Sequence, residues 1–313
     1  KFTPAANQSG TATVAVVVED GGTDNQLSTT EDNKSVTETF TIEITPVNDA
    51  PTIHEVSNLT IVEDSAAQNI NLTGITAGPG ETQALRLHAS SSHPNIIPTP
   101  TIDYTSGEST ARLAISPVAN AFGTVTISVQ VEDAGLDNDL SDTDDNLTTV
   151  AQFQIIITPV DDAPTIATTP NITLPEDAPK QTINLFAITA GPNESQPIRL
   201  TASSSNPDVI PTPNLNYTSP ETTGVATFTP AEDQTGTSVI TVTVEDGGLD
   251  NNLETSDDNQ STNMTFEVTI EDGNDPPTIN TIDDLTINED AVEQQISLSG
   301  ITAGSGENQP LKI

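Results

Sequence analysis

Residues 124–131 read TVTISVQV, with apolar and polar side chains in alternation. A two-residue period puts every second side chain on one face, the mark of a half-buried strand. The same alternation returns in VITVTV at 239–244, and related apolar runs stand at 153–157 (FQIII) and 266–270 (FEVTI). Shorter runs lie at 59–62, 70–72, 85–89, 101–104 and 111–115, parted by Gly, Pro, Asn and Ser clusters. Together they predict about seven strands between residues 50 and 162. No segment sustains a helical period. The apolar residues are mostly β-branched or aliphatic, which suits two packed sheets. The expected fold class is an all-β sandwich.

The strands repeat. Ala50-Pro51-Thr52-Ile53 returns as Ala163-Pro164-Thr165-Ile166 and as Pro276-Pro277-Thr278-Ile279, a step of 113 residues (164 − 51 and 277 − 164). Glu63-Asp64, Glu176-Asp177 and Glu289-Asp290 keep that step, as do Phe40, Phe153 and Phe266. A period this long is a whole domain, since solenoid repeats run about 20 to 50 residues. The expected organisation is a linear array of seven-stranded modules: the C-terminal part of a first (1–49), two complete ones (50–162 and 163–275), and the start of a further one (276–313). The array is expected to continue in both directions.

Charge changes the picture. Seven Lys+Arg stand against 46 Asp+Glu, a formal net charge of −39. Uncompensated, that charge opposes compaction. It argues against nucleic acid and anionic membrane surfaces as partners, because both need cationic contacts. Hydrophobic residues make up 33% and aromatics 3%, a composition that leans toward disorder. The kept alternation argues instead for a folded chain neutralised by cations. There is no cysteine, so no disulfide contributes, and bound metal is an alternative source of stability. No apolar run approaches the roughly 18 residues of a membrane span.

The carboxylates concentrate where strands end. In a seven-stranded sandwich the last two strands, F and G, are joined by a loop, here VEDGGTDNQLSTTEDN (18–33), VEDAGLDNDLSDTDDN (131–146) and VEDGGLDNNLETSDDN (244–259). Strand F is expected to end at Val244, with Met264 already in G. The loop lies at the end where its own module begins, near the acidic linkers Asn48-Asp49, Asp161-Asp162 and Asn274-Asp275. The Glu63-Asp64 and Glu176-Asp177 pairs reach a linker if they turn to the module's other end. Clusters with oxygen donors only suit Ca²⁺, which takes 6 to 8 oxygen ligands.

Three of these segments resemble cadherin motifs. LPEDAP (174–179) is similar to the cadherin first-strand motif that supplies a calcium-binding Glu. VEDGG is similar to A-x-D-G-G, and EDGNDPP (271–277) to the linker D-x-N-D-x-x-P. The chain as a whole resembles tandem cadherin-like or immunoglobulin-like repeats of very large bacterial surface and adhesin proteins, in which VNDAPT is a frequent junction. The resemblance implies calcium at each junction. The ligands would include Asn48, Asp49 and Asp133 at the first; Glu63, Asp161, Asp162 and Asp246 at the second; and Glu176, Asp272, Asn274 and Asp275 at the third. Two departures stand out. The D-x-D pair after the second strand is absent, replaced by Ile-Thr-Ala-Gly, and Pro46 and Pro159 occupy the first linker acid that Asp272 keeps. One or two ions per junction are therefore expected.

The F–G loops hold further oxygen donors, Asp24, Asp32, Asp137, Asp145, Asp250 and Asp258, as a second candidate site in the loop itself. The plainer reading is a turn-rich loop using Asp, Asn and Gly for backbone reasons. It is not an EF-hand, whose glycine at position six and Glu at twelve are missing. His54, His88 and His93 do not recur at the 113-residue step, which argues against a repeated ligand role. No positioned base or aromatic pocket accompanies the carboxylates, so no enzyme is expected. Two functional readings follow. One is a structural, calcium-stiffened stalk or fibre segment of a large extracellular protein at a bacterial cell surface. The other is an adhesive module binding glycan or protein through its F–G loops. Expected partners are neighbouring modules of the same chain, other copies in a filament, or a cell-surface ligand, with no membrane insertion in this stretch.

Overall fold

The computed structural model describes all 313 residues and contains strands, turns and no helix. No helix is therefore long and apolar enough to cross a membrane. The chain divides into two compact units, Lys1–Pro159 and Val160–Ile313.

The first unit opens with an antiparallel hairpin of β1 (Gly10–Glu19) and β2 (Ser35–Ile44). Seven strands follow: β3 (Leu59–Val62), β4 (Gln68–Thr73), β5 (Leu85–Ser91), β6 (Thr101–Asp103), β7 (Thr110–Ile115), β8 (Gly123–Asp133) and β9 (Thr148–Thr158). They form one sheet of order β3-β9-β8-β5 and another of order β4-β7-β6. All pairs are antiparallel except β3 with β9, where Leu59 stands opposite Ile155. The second unit repeats this with β10 (Ile172–Pro175), β11 (Gln181–Phe186), β12 (Ile198–Ser204), β13 (Asn214–Asn216), β14 (Thr223–Phe228), β15 (Gly236–Asp246) and β16 (Ser261–Glu271). Its sheets run β10-β16-β15-β12 and β11-β14-β13. Each unit thus carries a sandwich of four plus three strands, and the all-β reading of the sequence holds.

The alternation explains the packing. Along β8, Val125, Ile127, Val129 and Val131 are fully buried on one face, and Ile240, Val242 and Val244 do the same along β15. They meet residues of the opposing sheet, such as Leu72 and Leu113, or Leu185 and Ala226. Each such aliphatic burial contributes about 1.5–3 kcal/mol. Phe153 and Phe266 are 2% exposed, while Phe40 on the hairpin, which has no opposing sheet, is 51% exposed.

Strands F and G, here β15 and β16, run longer than the hydropathy indicates. β15 continues past Val244 to Asp246, and β16 begins at Ser261, because backbone pairing of Glu245 with Ser261 extends the ladder where apolar alternation has stopped. The row that points inward therefore ends on a carboxylate, Asp133 in β8 and Asp246 in β15, both 0% exposed.

Candidate metal centres

The inward acid at the end of strand F is held by the turn that follows it. Asp133 Oδ1 accepts from the backbone N–H of Gly135 at 3.0 Å and of Leu147 at 2.9 Å. Asp246 Oδ1 accepts likewise from Gly248 at 3.1 Å and Gln260 at 2.9 Å. Exposed Asp20 repeats the pattern with Gly22 and Lys34, and these two N–H groups, Lys34's first, hold its carboxyl below the usual range. In both buried copies the second oxygen, Oδ2, has no partner. A buried carboxylate oxygen without a donor is costly, and a cation beside it would offset that cost.

The turn itself is made by the recurring loop acids. Asp32, Asp145 and Asp258 accept from the backbone N–H of Thr23, Leu136 and Leu249 at 2.8, 2.8 and 2.9 Å. Asp24, Asp137 and Asp250 each accept from the N–H two residues on, at 2.9 Å. Gly22, Gly135 and Gly248 lie beneath the first set at φ +57°, +59° and +55°, and a Cβ at Gly135 would stand 1.9 Å from Asp145 Oδ1. Only glycine fits that backbone and that gap. These six acids thus shape the loop through backbone bonds. One loop goes further: Asp137, Asp142 and Asp145 each offer an oxygen, all within 4.8 Å of one another. In the other two loops a threonine replaces Asp142, and its hydroxyl donates to Asp24 or Asp250, at 2.7 and 2.8 Å.

The linkers are gripped from the segment after the second strand. Asp49, Asp162 and Asp275 donate their backbone N–H to the carboxylates of Glu81, Glu194 and Glu307, at 3.2, 3.1 and 2.7 Å. Two residues on, Gln83, Gln196 and Gln309 donate from Nε2 to Oδ1 of Asn48, Asp161 and Asn274, at 2.9, 3.0 and 3.0 Å. This Glu-x-Gln pair recurs at the 113-residue step, and that step is the signal by which the sequence exposes it. The grip brings the linker to the F–G loop within each unit. Asn48 Nδ2 donates to Asp133 Oδ1 at 3.1 Å and to the Asp145 carbonyl at 2.9 Å. Asp161, 9% exposed, has its own carbonyl bound by Gln260 Nε2, and its Oδ2 is unpartnered. Its carboxyl is pushed up to about 6, first by burial and then by the charge of Asp246, with Asp258 adding to it. Glu194 is raised too, by burial first and by the nearby Asp161 and Asp162 charges.

The opposite end of the second unit's sandwich builds another cluster. Parallel pairing of β10 with β16 continues through the Glu176 N–H to the Glu271 carbonyl at 2.9 Å, and Glu176 Oε1 then accepts from the Gly273 N–H at 2.6 Å. Asp177, at φ +57°, accepts from the Asp233 N–H at 3.1 Å. Asp177, Asp233 and Asp275 place one oxygen each within 4.8 Å of one another. The Asp275 carboxyl is raised by burial, then by Asp233, Asp177 and Glu307. Asp272 and Asn274 are exposed beside it. Asp233 escaped the sequence reading because Asn120 and Asn7 stand at its equivalents, and only its left-handed backbone, shared with both at φ +53° to +56°, marks the position. In the first unit, buried Glu63 holds the place of Glu176, its N–H on the Thr158 carbonyl at 3.0 Å, and Asp64 accepts from the Asn120 N–H at 2.8 Å.

No protein-family model matches the sequence, and no curated protein does. Solved structures do. Mouse cadherin-23 EC22-24 is matched over 83% of this chain and 74% of that one, at 14% identity and TM-score 0.40. Human CDH23 EC21-23 is matched over 81% of each chain, at 11% identity and TM-score 0.41. Domains 4-9 of the surface layer protein SbsC are matched over 88% of this chain and 37% of that one, at 12% identity and TM-score 0.28. The chain is similar to these in being a tandem array of β-sandwich modules.

The donor chemistry of the clusters is uniform. Every group in them is a carboxylate, carboxamide or carbonyl oxygen, with no His or Cys among them. Hard oxygen donors in this number fit Ca²⁺ rather than Zn²⁺ or copper. The Oδ2 atoms of Asp133, Asp161, Asp246 and Asp275 are buried without a hydrogen-bond donor, and a cation could serve them.

Proposed function

We propose that this chain is a calcium-stiffened stalk or fibre segment of a large extracellular surface protein. The observation that carries the reading is the recurring buried Asp at the end of strand F. It presents one bound and one unpartnered oxygen where a linker Asn or Asp meets it. A net charge of −39 over a chain whose sandwiches keep acids this close supports the same reading. Bound calcium supplies the positive charge these oxygens lack. Asp161, Asp246 and the Asp177–Asp233–Asp275 cluster are the residues that would hold it, and the Asp137–Asp142–Asp145 triad, of the same partial burial, is a further candidate. The chain's own residues do the rest: the Glu-x-Gln pair fixes the linker, and the F–G turn fixes the strand-end acid. A linker pinned in this way loses conformational freedom, and loss of freedom at each joint stiffens an array.

Small-angle scattering of the 313-residue chain with millimolar calcium and then with chelator tests this. The expected result is a long, stiff particle that loosens on chelation, with protease cleavage appearing in the linkers. The same scattering curve in both conditions would overturn the stiffening role.

A further inference from the structure

The two linkers that meet an F–G loop differ by one atom at a decisive place. Asn48 and Asp161 stand at the same register, and both have Oδ1 bound by the Gln Nε2 of the grip. The other terminal atom therefore faces the F–G acid. In Asn48 that atom is an N–H donor, and it bonds the Asp133 carboxylate at 3.1 Å and the Asp145 carbonyl at 2.9 Å. In Asp161 it is Oδ2, which has no proton to give and meets the charge of Asp246. The surroundings share the same Gln, the same Glu and the same strand-end Asp. They differ in that Gln260 ties the Asp161 backbone carbonyl to the loop where Leu147 stands in the first unit, so the contrast is one between side-chain locks. Asp246 and Asp161 are 0% and 9% exposed, so water cannot screen the pair, and Gln196, 6% exposed, has its own Oε1 unpartnered beside them.

We propose that Asn48 locks its linker to the F–G loop by its own amide, whereas Asp161 makes the equivalent lock dependent on a divalent cation bridging its Oδ2 to Asp246. The array thus mixes cation-free and cation-requiring locks, chosen by one residue per linker. The proposal rests on the calcium reading for the identity of the cation, and on the hydrogen bonds for the contrast. Gln196 acts as a positioning residue: its amide turns Oδ2 of Asp161 away from the grip and toward the strand-end acid.

Amide hydrogen exchange on the full 313-residue chain, in calcium chloride and in chelator, tests it beside a calorimetric calcium titration. In the native sequence, calcium is expected to slow exchange of amides 160–163 about tenfold, and to leave amides 47–50 within about twofold. Asp161→Asn should protect 160–163 in chelator already and remove the calcium response there. Asn48→Asp should lose protection at 47–50 by about tenfold in chelator and regain it with calcium. Both substitutions copy residues the array itself uses at that register, so both are compatible with the fold. If the titration shows calcium binding but the two variants keep the native exchange pattern, this proposal falls alone. If the native chain binds no calcium, the stalk reading falls and takes this proposal with it.

Discussion

Asp161 gives the sharpest prediction. Its carboxyl titrates near 6 in the folded chain against 3.8 when free, through burial and the Asp246 charge. A raised carboxyl pKa means the folded state holds its proton to higher pH than the unfolded state does. Between those two values the native state binds more protons, so stability falls as pH rises through the window. Below about pH 4 the effect is absent, and above about pH 6 it is complete. A shift of this size corresponds to roughly 2–3 kcal/mol at full extent. The perturbation is Asp161→Asn, which keeps the shape and removes the charge. Urea unfolding of the second unit in chelator, from pH 4 to pH 7, is the assay. The difference between variant and native stability should grow with pH by about 2–3 kcal/mol, half of it near pH 5. Calcium should cancel the difference for the native chain, and its affinity should fall about tenfold from pH 7 to pH 5 as Asp161 protonates. A variant that tracks the native chain at constant offset across the window would refute the repulsion between Asp161 and Asp246.

Other consequences are simpler. Phe266→Ala should cost about 3–5 kcal/mol in chemical unfolding, because Phe266 is 2% exposed, whereas Phe40→Ala at the same register should cost under about 1 kcal/mol, being 51% exposed. Gly248→Ala should destabilise the F–G turn by about 1–3 kcal/mol, since φ is +55° and the new Cβ lies 2.5 Å from Asp258 Oδ1; Gly107→Ala, at φ +94° with open space around it, should show the smaller backbone cost alone in the same melts. Asp233→Asn should weaken calcium binding at the Asp177–Asp233–Asp275 cluster about tenfold or more in a calorimetric titration while leaving stability in chelator equal or higher, because it removes a like charge near Asp275. Unchanged affinity would remove that cluster from the calcium sites.

The fold was legible because alternation and burial are the same fact seen twice. Val125, Ile127, Val129 and Val131 stand two apart in the chain and on one face in the strand, so the sequence by itself determined strands and sheet class, and it carries the 113-residue step. It also located the acidic segments that border each linker. It missed where strands F and G meet the loop, because the backbone ladder that carries β15 to Asp246 has no side-chain signature. It offered Asp24, Asp137 and Asp250 either as metal donors or as turn residues; the structure places each on a backbone N–H two residues on, and Asp137 also within 4.8 Å of Asp142 and Asp145. It passed over Glu194, Gln196 and Asp233, which recur or nearly recur but carry no motif of their own. Which oxygens face each other depends on pairings between segments far apart in sequence. The Glu-x-Gln grip reaches back 32 to 35 residues to the linker, and Asn48 reaches 85 residues forward to Asp133. A hydropathy period is a local quantity and is written in the chain. The direction of an unpartnered carboxylate oxygen is a non-local one, fixed only when both sheets have closed around it.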